Sequence, residues 1–224
     1  MFDSLKLSDL PERSCGVLRH PSNTRPAMWV VEENGVRAVV KDFSQGKRLY
    51  GSIIGRFLVW RESKAYSKLR GLKGVPALYG VIDGQALVVE EIPGRGLKKH
   101  EREIGISEAF FDALKGLVDS VHRRGLAHCD LKHSGNVVLG RDGRPYIVDW
   151  AASISDEEFR WFPLNLIFRR FLLDDEMAII KLKLQQVPES LTPEERSRYE
   201  RRSEAEKTVR AVRDRLRKRL QKMV

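Results

Sequence analysis

The sequence predicts an α+β chain, with an antiparallel sheet in residues 1–92 and mostly helix after it. Two hairpin signals and one amphipathic helix carry that prediction. Asn34-Gly35 separates the apolar runs MWVVEE and VRAVVKDF, and both turn residues tolerate positive φ, so the runs fold back as antiparallel neighbours. Residues 75 to 92, VPALYGVIDGQALVVEEI, repeat the pattern around Asp83-Gly84, and Pro93-Gly94 then breaks the run. Further on, Phe110, Phe111, Leu114, Leu117, Val118 and Val121 recur at helical spacing, between a capping Ser107 and a terminating Gly125.

A length of 224 residues allows one domain or a small two-lobed one, and 42% hydrophobic residues excludes a disordered chain. The formal net charge of +10 invites a polyanion, whether nucleotide, nucleic acid or anionic membrane surface. Of the two cysteines, Cys15 and Cys129, the second lies in a polar loop where a disulfide would restrain moving parts, so reduced thiols and a cytoplasmic setting are expected. MFDSLKLSDLPERS, a polar lead-in, lacks the basic and long apolar regions of a signal peptide, and no uncharged apolar run is long enough for a membrane span.

Between the two hairpins, RFLVWRESKAYSKLRGL has helical spacing, with Glu62 the sole carboxylate between Asp42 and Asp83. The chemistry concentrates in residues 126 to 151, LAHCDLKHSGNVVLGRDGRPYIVDWA. Asp130 sits in a polar loop after a helix, Asn136 follows six residues later, and Asp149 ends an apolar strand. Phosphoryl transfer from ATP needs such a set: a carboxylate to orient and deprotonate a hydroxyl, and an Asn plus a second carboxylate to hold Mg2+ on the phosphates.

HCDLKHSGN is similar to the catalytic loop of protein-kinase-like enzymes, and IVDWA resembles the strand and metal-binding Asp that follow it. The resemblance covers roughly residues 16 to 155. It implies a two-lobed protein-kinase-like fold with an antiparallel-sheet N-lobe over 1–92, a truncated helical C-lobe with the catalytic loop over 93–188, and a basic C-terminal helix over 189–224. Asp130 would be the base, Lys132 would offset charge on the moving phosphoryl group, and Asn136 and Asp149 would be the metal ligands. Lys41, in VVKDF, would bind the α- and β-phosphates and pair with Glu62, and backbone groups from Glu90 to Ile92 would meet the adenine edge. His128 would serve the loop structurally rather than as acid or base.

The pattern departs from the family in four places. The phosphate-covering loop, His20-Pro21-Ser22-Asn23-Thr24-Arg25-Pro26, has no glycine, so Ser22, Thr24 and backbone N–H groups would contact phosphate, as in the Ser-containing loops of RIO-type kinases. Cys129 replaces the Arg that senses a phosphorylated activation segment, and Ala151 replaces the Gly of D-F-G, so little conformational switching is expected. Asn136 lies one residue further from Asp130 than H-R-D-x-x-x-x-N allows. Either a bulge at His133-Ser134-Gly135, helped by an unusual Gly135 backbone angle, returns Asn136 to the metal, or the second ligand is altered. No A-P-E follows, as in the minimal C-lobes of RIO-like kinases and of lipopolysaccharide-core sugar kinases.

The resemblance implies transfer from MgATP to a hydroxyl, with Ser/Thr of a protein the first expectation. A lipid-linked sugar at the inner membrane face is the alternative, and a nucleotide-binding scaffold without catalysis is a third reading. WFPLNLIFRRFLL reads as core, protein contact or membrane-interface segment. Thr192-Pro193-Glu194-Glu195 is a capping-box helix start, and Val209, Val212, Leu216 and Leu220 continue one face to the end. From Lys207 onward Asp214 is the only acid, which suits adhesion to anionic lipid or, as a competing reading, to RNA.

Overall fold

Five antiparallel strands in the order β1-β2-β3-β5-β4 form the principal sheet of the computed structural model, which describes residues 2–22, 25–45, 53–97 and 106–201. The strands are β1 (Ser14–Arg19), β2 (Ala27–Glu33), β3 (Val36–Asp42), β4 (Leu78–Ile82) and β5 (Ala86–Glu90), with a short helix α1 (Leu10–Arg13) before them and α2 (Gly55–Lys68) between β3 and β4. Both expected hairpin turns are present. Asn34 and Gly35 have φ of 52° and 76°, and Asp83 and Gly84 of 50° and 66°, the paired left-handed geometry that matches strand twist.

Strand alternation assigns the two sheet faces. Ala38 and Val40 of β3 look one way, with Val31, Ala86 and Val88, while Val39 looks the other, with Val89. The first face is closed by Phe2, Leu5 and Leu10, all buried, so the N-terminal segment is a structural cover for the sheet and not a polar lead-in. Three apolar side chains spaced among charged ones lack the periodicity that marks a helix or strand.

The second face packs into the main core, which runs through α2 and into α3 (Glu108–Arg123) and α4 (Leu164–Gln186). All six apolar residues expected to line α3 are buried. Ser107 occupies the N-cap but makes no side-chain cap bond, and its carbonyl accepts from the Phe110 and Phe111 N–H groups instead. Gly125, at φ 70°, ends the helix as expected.

Two small sheets carry the loop between α3 and α4. β6 (Gly94–Gly96), β8 (Val137–Gly140) and β9 (Pro145–Ile147) form one, and β7 (Leu126–Ala127) pairs with β10 (Ile154–Ser155) in the other. The capping box also forms: the Thr192 hydroxyl accepts from Glu195 N–H, and the Glu195 carboxylate accepts from Thr192 N–H. Residues 193–201 are helical; Thr24, and the apolar stripe and basic run expected beyond residue 201, lie outside the described residues.

Of the three readings of WFPLNLIFRRFLL, core is overturned. Trp161 and Phe162 are each 77% exposed, and Leu164, Leu166 and Ile167 are exposed as well. The second half of α4 supplies the core residues, Ala178, Ile179, Ile180 and Leu182 among them. Among the described residues no helix is long and apolar enough to cross a membrane.

Candidate active site

Lys41 is the centre of the site. It lies on β3 on the same face as Val39, so its side chain runs under the sheet toward α2. Its Nζ donates to Glu62 Oε1 at 2.6 Å and to Asp149 Oδ1 at 2.8 Å. Glu62 is wholly buried on α2, and the same Oε1 accepts the Trp150 N–H at 3.2 Å. One carboxylate therefore fixes both the lysine and the backbone that follows Asp149. Two carboxylates around one ammonium leave the cluster with excess negative charge. Burial opposes the Lys41 charge, but Glu62 and Asp149 outweigh it and raise the lysine above its ordinary value. Burial also opposes the charge on Asp149, and Lys41 outweighs it there, holding that carboxyl below its usual range.

An ion pair and hydrogen bonds tie α2 to the segment after Asp149. Lys68 Nζ reaches Asp156 at 2.8 Å and Ser155 Oγ at 2.9 Å, and Arg61 donates to the Ser153 carbonyl at 2.9 Å. These contacts run from Arg61, next to Glu62, to Lys68 at the helix end about two turns later, and so hold that half of α2 against the segment after Asp149.

Asp130 and Asn136 meet directly. Asn136 Nδ2 donates to the Asp130 carbonyl at 3.0 Å and to Asp130 Oδ2 at 3.2 Å. The extra residue of this loop is absorbed by a tight 3-10 turn over Ser134–Asn136, in which Asn136 N–H donates to the His133 carbonyl. Gly135 does not use a left-handed φ. Its use is close approach: a Cβ on Gly135 would sit 3.2 Å from the His133 ring, and a Cβ on Gly96 of β6 would sit 3.3 Å from Gly135. The Val148 N–H donates to the Asn136 carbonyl at 2.9 Å, which ties this pair to the strand leading into Asp149. Asp149 itself is left-handed, φ 67°, a conformation Asp tolerates better than most residues.

His128 is a buried brace. Its Nδ1 accepts the Asp130 N–H at 3.3 Å and its Nε2 donates to the Val148 carbonyl at 3.1 Å, which assigns the proton to Nε2 and links the two loops. Its ring meets Trp150 edge to face at 4.7 Å. Burial pushes the imidazole below its ordinary value in spite of Asp175 nearby. An unfolded chain takes up a proton on this ring near about pH 6.5, whereas the native chain refuses it until lower pH, so native stability is expected to fall as pH drops below about 6.5. Denaturant midpoints followed downward from neutral pH test this. The wild-type loss should be steeper than that of His128→Gln, and equal slopes would remove His128 from the account.

Asp175, on α4, is the residue sequence reasoning missed. It is 2% exposed, accepts from the His128 and Cys129 N–H groups at 2.7 and 2.9 Å, and faces His122 Nε2 at 3.2 Å. Cys129 is held at φ 67°, a strained setting for a non-glycine residue, so Asp175 clamps the loop where its backbone is least relaxed. The only sequence signal was a run of three acids, Asp174-Asp175-Glu176, directly after an apolar segment.

Other expected residues are less committed to one place. Lys132 is exposed two positions beyond Asp130. Ser22 is exposed and its N–H donates to the Arg25 carbonyl at 3.1 Å. Glu90 donates its N–H to the Ala77 carbonyl at 2.8 Å, so any contact it makes with a base edge falls to its own carbonyl. Ile92 lies just past β5, outside regular structure. A second residue escaped notice: Arg19, at the end of β1, opposite Met28, which is opposite Lys41. Its Nε donates to the Pro26 carbonyl at 3.1 Å, and burial lowers its guanidinium from its ordinary value while the charge of Asp149 opposes that lowering.

Asn136 and Asp149 suit a magnesium ion. Asn136 turns its amide nitrogen to Asp130, leaving its carbonyl oxygen as a hard donor, and the Asp149 side chain, one residue beyond the Val148 N–H that donates to the Asn136 carbonyl, is 45% exposed. Among the described residues no group of three or more His, Cys, Asp and Glu could hold a metal unaided. Two oxygen donors are what Mg2+ takes when water and phosphate complete its octahedron. No protein-family model matches the chain, and no curated protein matches it.

Proposed function

We propose that this chain is an ATP-dependent phosphotransferase of the protein-kinase-like class, moving the γ-phosphoryl group of MgATP to a hydroxyl. The observation that carries the reading is Lys41 Nζ on β3, 2.6 Å from Glu62 of α2 and 2.8 Å from Asp149, with Asp130 and Asn136 paired on the loop before Asp149. A lysine held by a buried carboxylate is fixed in direction and keeps its proton, as a cation for the α- and β-phosphates must. The resemblance of HCDLKHSGN and IVDWA to the catalytic loop and metal-binding segment of such enzymes adds to it.

In this reading Asp130 accepts the acceptor hydroxyl's proton as the new O–P bond forms and the bond to the ADP oxygen breaks, and Lys132 offsets charge on the phosphoryl group in transit. Asn136 and Asp149 would hold Mg2+, which neutralises charge on the β- and γ-phosphoryl oxygens when bound. The protein's contribution is positioning and electrostatics. Ser or Thr of a protein is the first acceptor class. A lipid-linked sugar is the second, and the exposed apolar start of α4 favours it.

Arg19 fits a phosphate-binding role in place of the missing glycine-rich loop. Arg19→Ala is expected to raise the KM for ATP by about 10- to 100-fold, the worth of one charge-assisted hydrogen bond, with adenosine affinity unchanged. Titration of both ligands against the wild type and Arg19→Ala checks this, and equal losses for ATP and adenosine would assign Arg19 to folding. The function itself is tested by release or transfer of labelled γ-phosphate with Mg2+, alongside nucleotide-induced thermal stabilisation. A wild type that neither binds nor turns over MgATP would end the proposal.

A further inference from the structure

We propose that the exposed start of α4, with the residues just before it, docks on an anionic lipid bilayer and lies in its interface. Trp161 and Phe162 are each 77% exposed at the helix entry, and Leu164, Leu166 and Ile167 of its first turns are exposed too. So large an uncovered apolar cluster marks a contact surface. Positions 164, 166 and 167 fall within about 160° of the helix circumference at about 100° per residue. They form one broad apolar face which, with the two rings just before the helix, suits the half-immersed position of a helix lying in a lipid interface. Tryptophan and phenylalanine also belong to the side chains favoured at headgroup level.

Charge agrees with shape. Arg160 precedes the cluster, Arg169 and Arg170 follow it, all three are exposed, and residues 160–173 contain no acid, although Arg170 reaches Asp174 at 3.6 Å. Arginine stems can lie along acyl chains while the guanidinium groups stay among lipid phosphates, and each such residue strengthens adhesion to an anionic leaflet. With about ten residues in the exposed stretch the segment is far too short to cross a bilayer, so it lies in the interface. The same helix carries Asp175, which grips the His128 and Cys129 N–H groups. A membrane holding the start of α4 would therefore hold the Asp130 loop at a constant height above the lipid. The docking surface does not depend on the phosphotransferase reading, but it would suit an acceptor that is itself anchored in lipid.

The test is sedimentation of the full chain with vesicles of phosphatidylcholine plus phosphatidylglycerol and with vesicles of phosphatidylcholine alone, without nucleotide. Wild type should bind the anionic vesicles, bind them less at high salt, and lose tryptophan fluorescence to bromine-labelled lipid. Trp161→Ser with Phe162→Ser removes two exposed rings and should leave the thermal transition in place. It should weaken vesicle binding by about tenfold or more, from the lost apolar burial. Arg169→Gln with Arg170→Gln should weaken binding to anionic vesicles alone. Binding that survives the Trp161/Phe162 pair of changes would assign adhesion to another part of the chain and overturn the proposal. Wild-type self-association abolished by those changes, with no vesicle binding, would give the surface to a second copy and overturn it equally. Because no nucleotide is present, failure here leaves the phosphotransferase reading standing, and loss of that reading leaves this result intact.

Discussion

Phosphoryl transfer by Asp130→Asn is expected to fall by about 10²–10⁴-fold, the range for losing a positioned general base, while nucleotide affinity stays near that of the wild type. The substitution is chosen for what it preserves. Asn136 Nδ2 donates both to the Asp130 carbonyl and to Oδ2, and an asparagine oxygen accepts the second bond as the carboxylate did. The loop is therefore expected to keep its shape, and what is lost is the group able to accept a proton. Single-turnover rates with labelled ATP, set beside nucleotide-induced thermal stabilisation, separate the two. Binding retained with transfer lost assigns Asp130 as base. Unchanged transfer would refute that role, and a wild type that binds MgATP but transfers to no acceptor would support a nucleotide-binding scaffold instead.

The largest effect on stability is expected from Asp175→Ala, at about 3 kcal/mol, because one buried and one half-buried N–H group lose their acceptor at roughly 1–3 kcal/mol each and partly recover by relaxation. For a chain of this size that lowers Tm by about 6–12 °C. The loss should not remain structural. Cys129, whose N–H makes the second of those bonds, sits at φ 67°, and without them the backbone is free to leave the left-handed region and carry Asp130 with it. Transfer by the folded fraction is therefore expected to drop as well, with Asp175→Asn, which keeps one acceptor oxygen, between the two. Thermal melts and rates per folded molecule measure both. A destabilised variant with full activity would show that Asp175 supports the fold and does not position the loop.

Much of the candidate site was legible because its residues are singular in their surroundings. Glu62 is the sole carboxylate over forty residues of basic and apolar sequence, and the structure places it against Lys41. Asp130, Asn136 and Asp149 stand in short polar interruptions of apolar strand and helix, where a carboxylate or amide side chain stands out. Asp175 and Arg19 had no such contrast. One is the middle of three consecutive acids, the other one of many arginines, and which of them turns toward the site depends on how α4 packs on the loop and where β1 ends.

The sequence by itself determined the elements: the two left-handed hairpin turns, the buried face of α3, the capping box at Thr192 and the order of the polar loops. These follow from local rules, because backbone angles, helical period and cap bonds involve residues a few positions apart. The tertiary structure alone decided which apolar residues would be covered. Phe2, Leu5 and Leu10, scattered among charges, close one sheet face, while Trp161, Phe162 and Leu166, in a nearly continuous apolar run, stay in solvent. Hydrophobic burial is non-directional and needs only a partner surface. Whether a given side chain finds one is settled by the arrangement of distant elements, which local sequence does not encode.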